Sequence, residues 1–186
     1  MEKKTDRRVL RTRKMLLEGL TDLLKEKDIK DISVKELADY ADINRCTFYL
    51  HYKDVYDMLE KIEMEFVDDF NTMLDSCIES TPDPYPFMCA FLSYSYEHQE
   101  TLSALLGKHG DLAFINYMKK IIQERMLFIW EKNAYRTDHF EYYSAFIISG
   151  CLGLVEKWVQ NGFVESPEDM AEMAAKMILQ GIKVFS

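Results

Sequence analysis

The sequence has little of what usually interrupts a helix. Its 186 residues include only seven glycines and four prolines, and three of the prolines, Pro82, Pro84 and Pro86, lie within five residues of one another. So little glycine and proline argues against both a fibrous repeat and a disordered chain. With 48% hydrophobic residues, a chain of this length can bury a core of its own. We therefore expect a folded protein that is mostly helical.

Long apolar runs and clustered cysteines are also missing. The longest run with no charge and little polarity, residues 145–155, is far shorter than the roughly 18 residues of a membrane-spanning helix, and the charged start does not resemble a secretory signal. The four cysteines form no CxxC pair and no Cys/His group at zinc spacing, so we expect reduced thiols and no metal. The sequence predicts a cytoplasmic protein without membrane association.

The signatures of common enzyme classes are absent as well. We find no nucleophile elbow, no phosphate-binding loop, no dinucleotide fingerprint and no paired catalytic carboxylates. The sequence therefore predicts neither an enzyme nor a cofactor.

Charge is distributed unevenly along the chain. The net charge is −9 overall, yet residues 1–53 hold 13 Lys and Arg against 10 Asp and Glu, whereas residues 54–186 hold 10 against 22. Seven of the basic residues lie within residues 1–14, Lys3 and Lys4 among them. A local basic patch at one end of an acidic protein is typical of a nucleic-acid-binding segment. Its alternative is a solvated, frayed terminus.

Helical spacing of leucines predicts a first helix over residues 7–27. Ser33, followed three residues later by Glu36, is a capping box that starts a second, short helix. After a break at residues 42–43, Asn44 can cap a third short helix. Two short helices across a tight turn make a helix-turn-helix motif.

The rest of the chain also shows helical patterning. A long amphipathic helix is predicted after Lys53, then a proline-rich connection at residues 81–86, and then further helices, with Gly162 as a helix C-cap. Ser166 and Pro167 mark the start of the last helix. We predict two domains, residues 1–54, which contain the helix-turn-helix, and residues 55–186, which contain the later helices.

A short helix that enters the major groove needs small or polar residues at its leading end and donors for phosphates beside it. Arg45 can donate two hydrogen bonds to guanine, and Lys35 can reach the groove edge. The predicted base-reading residues are Lys35, Arg45, Cys46 and Leu50. The predicted phosphate contacts are Arg7, Arg8, Arg11, Ser33, Thr47, Tyr49, His51 and Lys53. The predicted small core is formed by Leu37, Ala38, Ile43, Phe48 and Tyr52.

Residues 8–60, and above all the run Thr47-Phe48-Tyr49-x-His51-Tyr52-Lys53, resemble the DNA-binding segment of the TetR/AcrR family of transcriptional regulators. The resemblance implies an all-α fold with an N-terminal three-helix DNA-binding domain and a larger helical ligand-binding and dimerisation domain. It favours Tyr49 and His51 among the phosphate contacts. The sequence departs from the pattern at Asp42, where relatives often have Gly, and at Cys46, which we interpret as an ordinary small residue rather than an oxidant sensor.

The resemblance also implies partners. They are double-stranded DNA with a palindromic operator, a second copy of the chain, and a small-molecule effector of unknown identity that controls a repressor. The implied dimer interface includes Gly150, Gly153, Met170, Met173 and Met177, and a candidate effector pocket includes Phe91, Tyr94, Tyr117 and Phe146. Two alternatives remain open: an activator or protein-binding regulator, and a helical interaction module that does not bind DNA.

Overall fold

The computed structural model describes residues 7–78, 83–107, 109, 111–132 and 139–182, and within these ranges the regular structure is entirely helical. Lys3, Lys4 and part of the proline-rich connection lie outside them. The helices are α1 (Arg7–Glu26), a short 3-10 helix (Ile29–Asp31), α2 (Val34–Tyr40), α3 (Arg45–Tyr49), α4 (Val55–Ile78), α5 (Tyr85–Glu97), α6 (Gln99–Leu106), α7 (Leu112–Lys132), α8 (Phe140–Gln160) and α9 (Pro167–Ile182). The predicted all-α fold is confirmed.

The chain forms two compact units. The first lies within residues 1–65 and 100–111, and the second lies within residues 66–99 and 112–186. The N-terminal part of α4 belongs to the first unit and its C-terminal part belongs to the second. The functional division at residue 54 stays a prediction, because it concerns activity rather than packing.

Leucines of α1 form the centre of the first unit. Leu16 and Leu20 are fully buried, as the helical spacing of the sequence predicts. Between them, Gly19 allows α2 to lie close, because an added Cβ atom at residue 19 would be 3.2 Å from Leu37 Cδ1 and 3.3 Å from Tyr40 Cδ1. Helix α2 therefore packs closely against α1.

Helix α6 joins the first unit through polar contacts at both of its ends. The Thr21 hydroxyl donates to the carbonyl of Glu100 (2.9 Å), and His109 Nδ1 lies 2.5 Å from the Asp28 carboxylate. Between these contacts Leu102 and Leu105 are buried. Sequence patterning did not separate α6 from its neighbours, because a helix of eight residues shows little periodicity.

The second unit is a helical bundle with an aromatic centre. Helix α5 packs against α9, and α8 packs against both α7 and α9. Ring centroids in the aromatic cluster lie 5.5–6.4 Å apart, mostly edge to face, as aromatic rings prefer. The members of this cluster are Phe66, Phe70, Phe87, Phe91, Tyr94 and Phe114.

The turn from α8 to α9 has the predicted caps. Gly162 has φ of +76°, the left-handed conformation that glycine adopts without strain. Ser166 accepts a hydrogen bond from the backbone N–H of Asp169 (3.1 Å), and Pro167 is the first residue of α9. Trp158 at the end of α8 is buried, and its indole N–H donates to the carbonyl of Glu165 (3.0 Å).

Among the described residues, no helix is both long enough and apolar enough to span a membrane.

Glu63 on α4 is half-buried in the first unit, beside the buried Leu59 and Ile62. Its Oε1 atom is buried and has no hydrogen-bond partner among the described residues. Burial, together with the negative charges of Asp111 and Glu60, raises the pKa of Glu63 to about 7. The folded protein therefore binds a proton at this site more tightly than the unfolded chain does, and stability is lost as the pH rises from about 4.5 through 7.

Replacing Glu63 by Gln removes this penalty, because the amide cannot ionise. Glu63→Gln should be more stable than the wild type at pH 8, by about 1 kcal/mol after allowance for solvent screening, and the difference should nearly vanish at pH 5. Urea unfolding at the two pH values measures it. The exposed Glu26, replaced by Gln, controls for the loss of one negative charge. An equal Glu63→Gln effect at both pH values would contradict the assignment.

Candidate nucleic-acid interface

The turn of the helix-turn-helix ends α2 with a left-handed residue, which in many helices is glycine and here is Asp42. Asp42 has φ of +52°, its N–H donates to the carbonyl of Asp39 (3.3 Å), and the N–H of Ile43 donates to the carbonyl of Ala38 (2.9 Å). These two bonds and the left-handed residue define a Schellman motif. The turn is therefore kept although Asp stands in the position where glycine is common, because Asp tolerates this conformation better than most residues.

Both helices of the motif have the predicted N-caps. The Ser33 hydroxyl oxygen accepts from the backbone N–H of Glu36 (3.2 Å) at the start of α2. The Asn44 side-chain oxygen accepts from the N–H of Cys46 (2.8 Å) at the start of α3. Such caps satisfy amide groups that would otherwise lack partners and contribute about 1 kcal/mol each. They matter most for α3, which has only five residues.

One side of α3 is anchored in the core. Phe48 is fully buried and Tyr52 is 5% exposed, and their rings lie 5.5 Å apart. Leu37 and Ala38 of α2 are also fully buried, so four of the five predicted core residues are confirmed. Ile43, the fifth, is half-buried. The anchors determine which side chains of α3 point to solvent.

Side-chain caps at the start of α4 hold the segment that follows α3. The N–H of Asp57 donates to the Asp54 carboxylate (2.8 Å), and the N–H of Lys53 donates to the Asp57 carboxylate (2.9 Å). Lys61 donates to the carbonyl of His51 (3.1 Å) and to Asp57 (2.9 Å). Sequence reasoning did not include Asp54, Asp57 and Lys61, although the Asp-x-x-Asp spacing before an apolar helix is a usable signal.

The side of α3 away from the core carries the predicted base-reading residues. Arg45 and Cys46 are exposed at its leading end, and Leu50 is exposed just beyond its last turn. Lys35 is exposed on α2. The structure thus places all four on the surface of one helix-turn-helix, where an α-helix can enter a major groove.

The predicted phosphate contacts surround this motif. Ser33, Tyr49 and Lys53 are exposed, and Thr47 and His51 are half-buried at its edge. Arg7, Arg8 and Arg11 are exposed in the first two turns of α1. Donors of this kind would fix the register of the protein on a duplex without reading its sequence.

The basic side chains of the first unit fall into two groups. Glu65 pairs with Arg13 and raises the pKa of its guanidinium. Lys27 pairs with Glu36 and lowers the pKa of that carboxyl.

In contrast, Lys35, Arg45 and Lys53 form no ion pair within the described part of the chain. These three charges are thus available to an external anion, and Lys27 neutralises the carboxylate nearest in sequence to Lys35.

The residues predicted for an effector pocket lie in different parts of the second unit. Phe91 and Tyr94 belong to the aromatic cluster, where the Tyr94 hydroxyl donates to Asp69 (2.7 Å). Tyr117 on α7 is 54% exposed. Phe146 on α8 is 75% exposed and lines a groove between α8 and α9. The structure therefore brings Phe91 and Tyr94 together and places Phe146 elsewhere.

The groove between α8 and α9 has a volume of about 640 Å³. Most of the predicted dimer-interface residues line it: Gly150, Met170, Met173 and Met177. Gly153 is also exposed on α8. An added Cβ atom at either glycine would meet no atom of this chain within 4 Å, so the small side chains are not needed for packing inside the chain.

Comparison with known proteins assigns the chain to a family. Residues 82–180 match the sequence model of a TetR-type region described as "Transcriptional regulator C-terminal region", which is more than half of the chain. The chain belongs to the TetR family of transcriptional regulators. The family suggested by residues 8–60 is therefore confirmed from a different part of the sequence.

Individual relatives agree with this TetR assignment. The chain is 27% identical over 171 residues to an uncharacterized HTH-type transcriptional regulator, YxbF, of Bacillus subtilis (strain 168); the match covers 88% of this chain and 43% of YxbF. The chain thus spans less than half the length of that relative.

A TetR-like transcriptional regulator from Rhodococcus sp. RHA1 has a TM-score of 0.70 at 16% identity over 92% of this chain and 96% of its own. The regulator FadR from Bacillus subtilis, solved in complex with stearoyl-CoA, has a TM-score of 0.63 at 13% identity over 90% and 98%. At such identities the two structures show a shared fold.

The left-handed conformation of Asp42 generates a test of the turn. Asp42→Val should lower the free energy of unfolding by about 1–2 kcal/mol, because a β-branched side chain clashes with the backbone at positive φ, whereas Asp42→Gly should change it by less than about 0.5 kcal/mol. Chemical denaturation measures both variants. Equal stability of the Val and Gly variants would show that the turn does not need this conformation.

Proposed function

We propose that this TetR-family chain is a sequence-specific DNA-binding regulator that acts as a homodimer on a palindromic operator. The observation that carries the proposal is a set of three exposed cations, Lys35 on α2, Lys53 after α3, and Arg45 at the start of the exposed side of α3. The side chains of these three residues form no ion pair within the described part of the chain. The buried rings of Phe48 and Tyr52 keep this side of α3 exposed to solvent. Phosphates and guanine edges are the ligands that such cations recognise.

Random duplex selection tests the function. The protein is incubated with a random DNA pool at near-physiological salt, and the bound duplexes are sequenced. An enriched palindrome, with half-sites one helical turn of about 34–36 Å or a multiple of it apart, is the expected result. To remove any effector that is already bound, the protein is denatured and refolded before the selection. No enrichment by the refolded, dimeric protein would contradict specific DNA binding.

Two substitutions separate base contacts from phosphate contacts. Arg45→Ala should remove the preference for one base pair in each half-site, a discrimination of about 1–3 kcal/mol. Lys53→Ala should weaken binding to all sequences alike and reduce the slope of log affinity against log salt by about one per subunit. Selection with each variant, followed by titrations at several salt concentrations, measures both effects. Unchanged base preference in Arg45→Ala would rule out direct readout by this residue.

The dimer is proposed to form through the groove between α8 and α9. Phe146 on α8 and Met177 on α9 are 75% and 57% exposed in the single chain, and covering them with a second copy would remove apolar surface from water. Gly150 and Gly153 would let the helices of the two copies approach closely. A symmetric pair of subunits matches a palindromic operator.

A charged side chain at Gly150 should separate the subunits without disturbing the fold. Gly150→Glu meets no atom of its own chain at the Cβ position, so helix content should be unchanged, while sedimentation equilibrium should show a monomer at concentrations where the wild type is a dimer. Gln123→Glu, which adds the same charge at an exposed position of α7, should stay dimeric. A dimeric Gly150→Glu variant would place the interface elsewhere.

An effector-controlled repressor is the form of regulation we propose. An effector that favours a recognition-helix spacing unsuited to DNA must itself bind more weakly to the DNA-bound state, because the coupling is reciprocal. The aromatic cluster around Phe91 and Tyr94, with Asp69 beside it, suits an apolar or cationic effector. FadR, which shares the fold, was solved with stearoyl-CoA. Activation, or control by a protein partner, is the alternative.

A further inference from the structure

The exposed side of α3 is not uniformly polar. Leu50 is 81% exposed, more than any other large hydrophobic residue in the described part of the chain. Single exposed leucines are common on protein surfaces. Leu50 differs because it lies at the end of the helix that carries Arg45, so its surroundings on DNA would be base edges rather than water.

The backbone keeps Leu50 in this position. The residue is still helical, with φ of −71° and ψ of −21°, and its N–H donates to the carbonyl of Thr47 (3.3 Å). Two residues to either side, Phe48 and Tyr52 are buried. Because α-helical residues two apart point to nearly opposite sides, α3 cannot turn Leu50 inward without expelling both rings from the core.

Cys46 extends the apolar surface along the same side of α3. It precedes Leu50 by four residues and is exposed, and side chains four apart on a helix lie on one face. The two side chains, Cys46 and Leu50, therefore form a short apolar strip along one face, and Cys46 directly follows Arg45 in α3. Neither contributes a charged group or a strong hydrogen-bond donor.

The major groove offers one apolar partner for such a strip. Base edges present donors and acceptors there, and the only apolar group is the C5-methyl of thymine. We propose that Leu50, with Cys46 one turn before it, contacts a thymine methyl group in each half-site, so that the operator requires thymine at that position. The proposal rests on the proposed DNA-binding function and names what one further residue of α3 recognises.

Deoxyuridine tests the contact, because it differs from thymidine only by the missing methyl group. Each thymine of the selected operator is replaced in turn by uracil, in both half-sites, and affinities are measured at one salt concentration. One position should lose affinity about fourfold per half-site, or about fifteenfold for the symmetric substitution, as expected for one buried methyl group. The remaining positions should change little.

Protein variants connect the methyl effect to the residue. Leu50→Ala should bind the thymine and uracil duplexes equally, and it should fold normally because Leu50 is exposed. Met64→Ala, which shortens another exposed apolar side chain of the first unit (61% exposed), should keep the full preference for thymine. The comparison measures the coupling between one side chain and one methyl group.

Several outcomes would overturn the proposal. They are a half-site without thymine, equal binding of every uracil duplex by the wild type, and an undiminished preference for thymine in Leu50→Ala. In each of these cases the operator is still bound specifically, so the proposed function would stand while this inference fails. If no sequence is bound specifically, both fail together.

Discussion

Burial of Phe48 is the constraint on which the proposed interface depends. The ring is completely enclosed in the first unit, and with Tyr52 it fixes the rotation of a helix of only five residues. A helix this short would not form by itself in water. Its orientation therefore comes from tertiary packing and from the caps at either side, and Arg45 and Leu50 are exposed as a consequence.

Packing and electrostatics reinforce each other in the first unit. Acidic residues pair with the cations that stabilise the fold, as Glu65 does with Arg13 and Asp57 does with Lys61. The cations beside α3 are left without such partners in the described ranges. A protein with a net charge of −9 can therefore still present a locally positive surface to DNA. Salt screens the charges that are distant from the bound ligand, so the ligand responds mainly to the charges nearest to it.

Local signals were the part of the structure that could be predicted from sequence. The caps at Ser33, Asn44 and Ser166 and the left-handed Gly162 follow from short-range chemistry, and each is present. Phe48 and Tyr52 were predicted as core residues because they fit the apolar positions of a helix-turn-helix, and both are buried. Contacts between distant residues could not be predicted in this way: nothing near Thr21 indicates its bond to Glu100, and nothing near Phe146 distinguishes an aromatic cluster from an exposed groove.

The most direct test of the account is to ask which groove of a bound operator the protein covers. Dimethyl sulfate methylates N7 of guanine in the major groove and N3 of adenine in the minor groove. The account predicts protection of guanine N7 in two major-groove segments about 34–36 Å apart or a multiple of that distance, with the protection at one guanine per half-site lost in Arg45→Ala. Protection confined to adenine N3, or guanine N7 protection that Arg45→Ala leaves intact, would contradict the role assigned to α3.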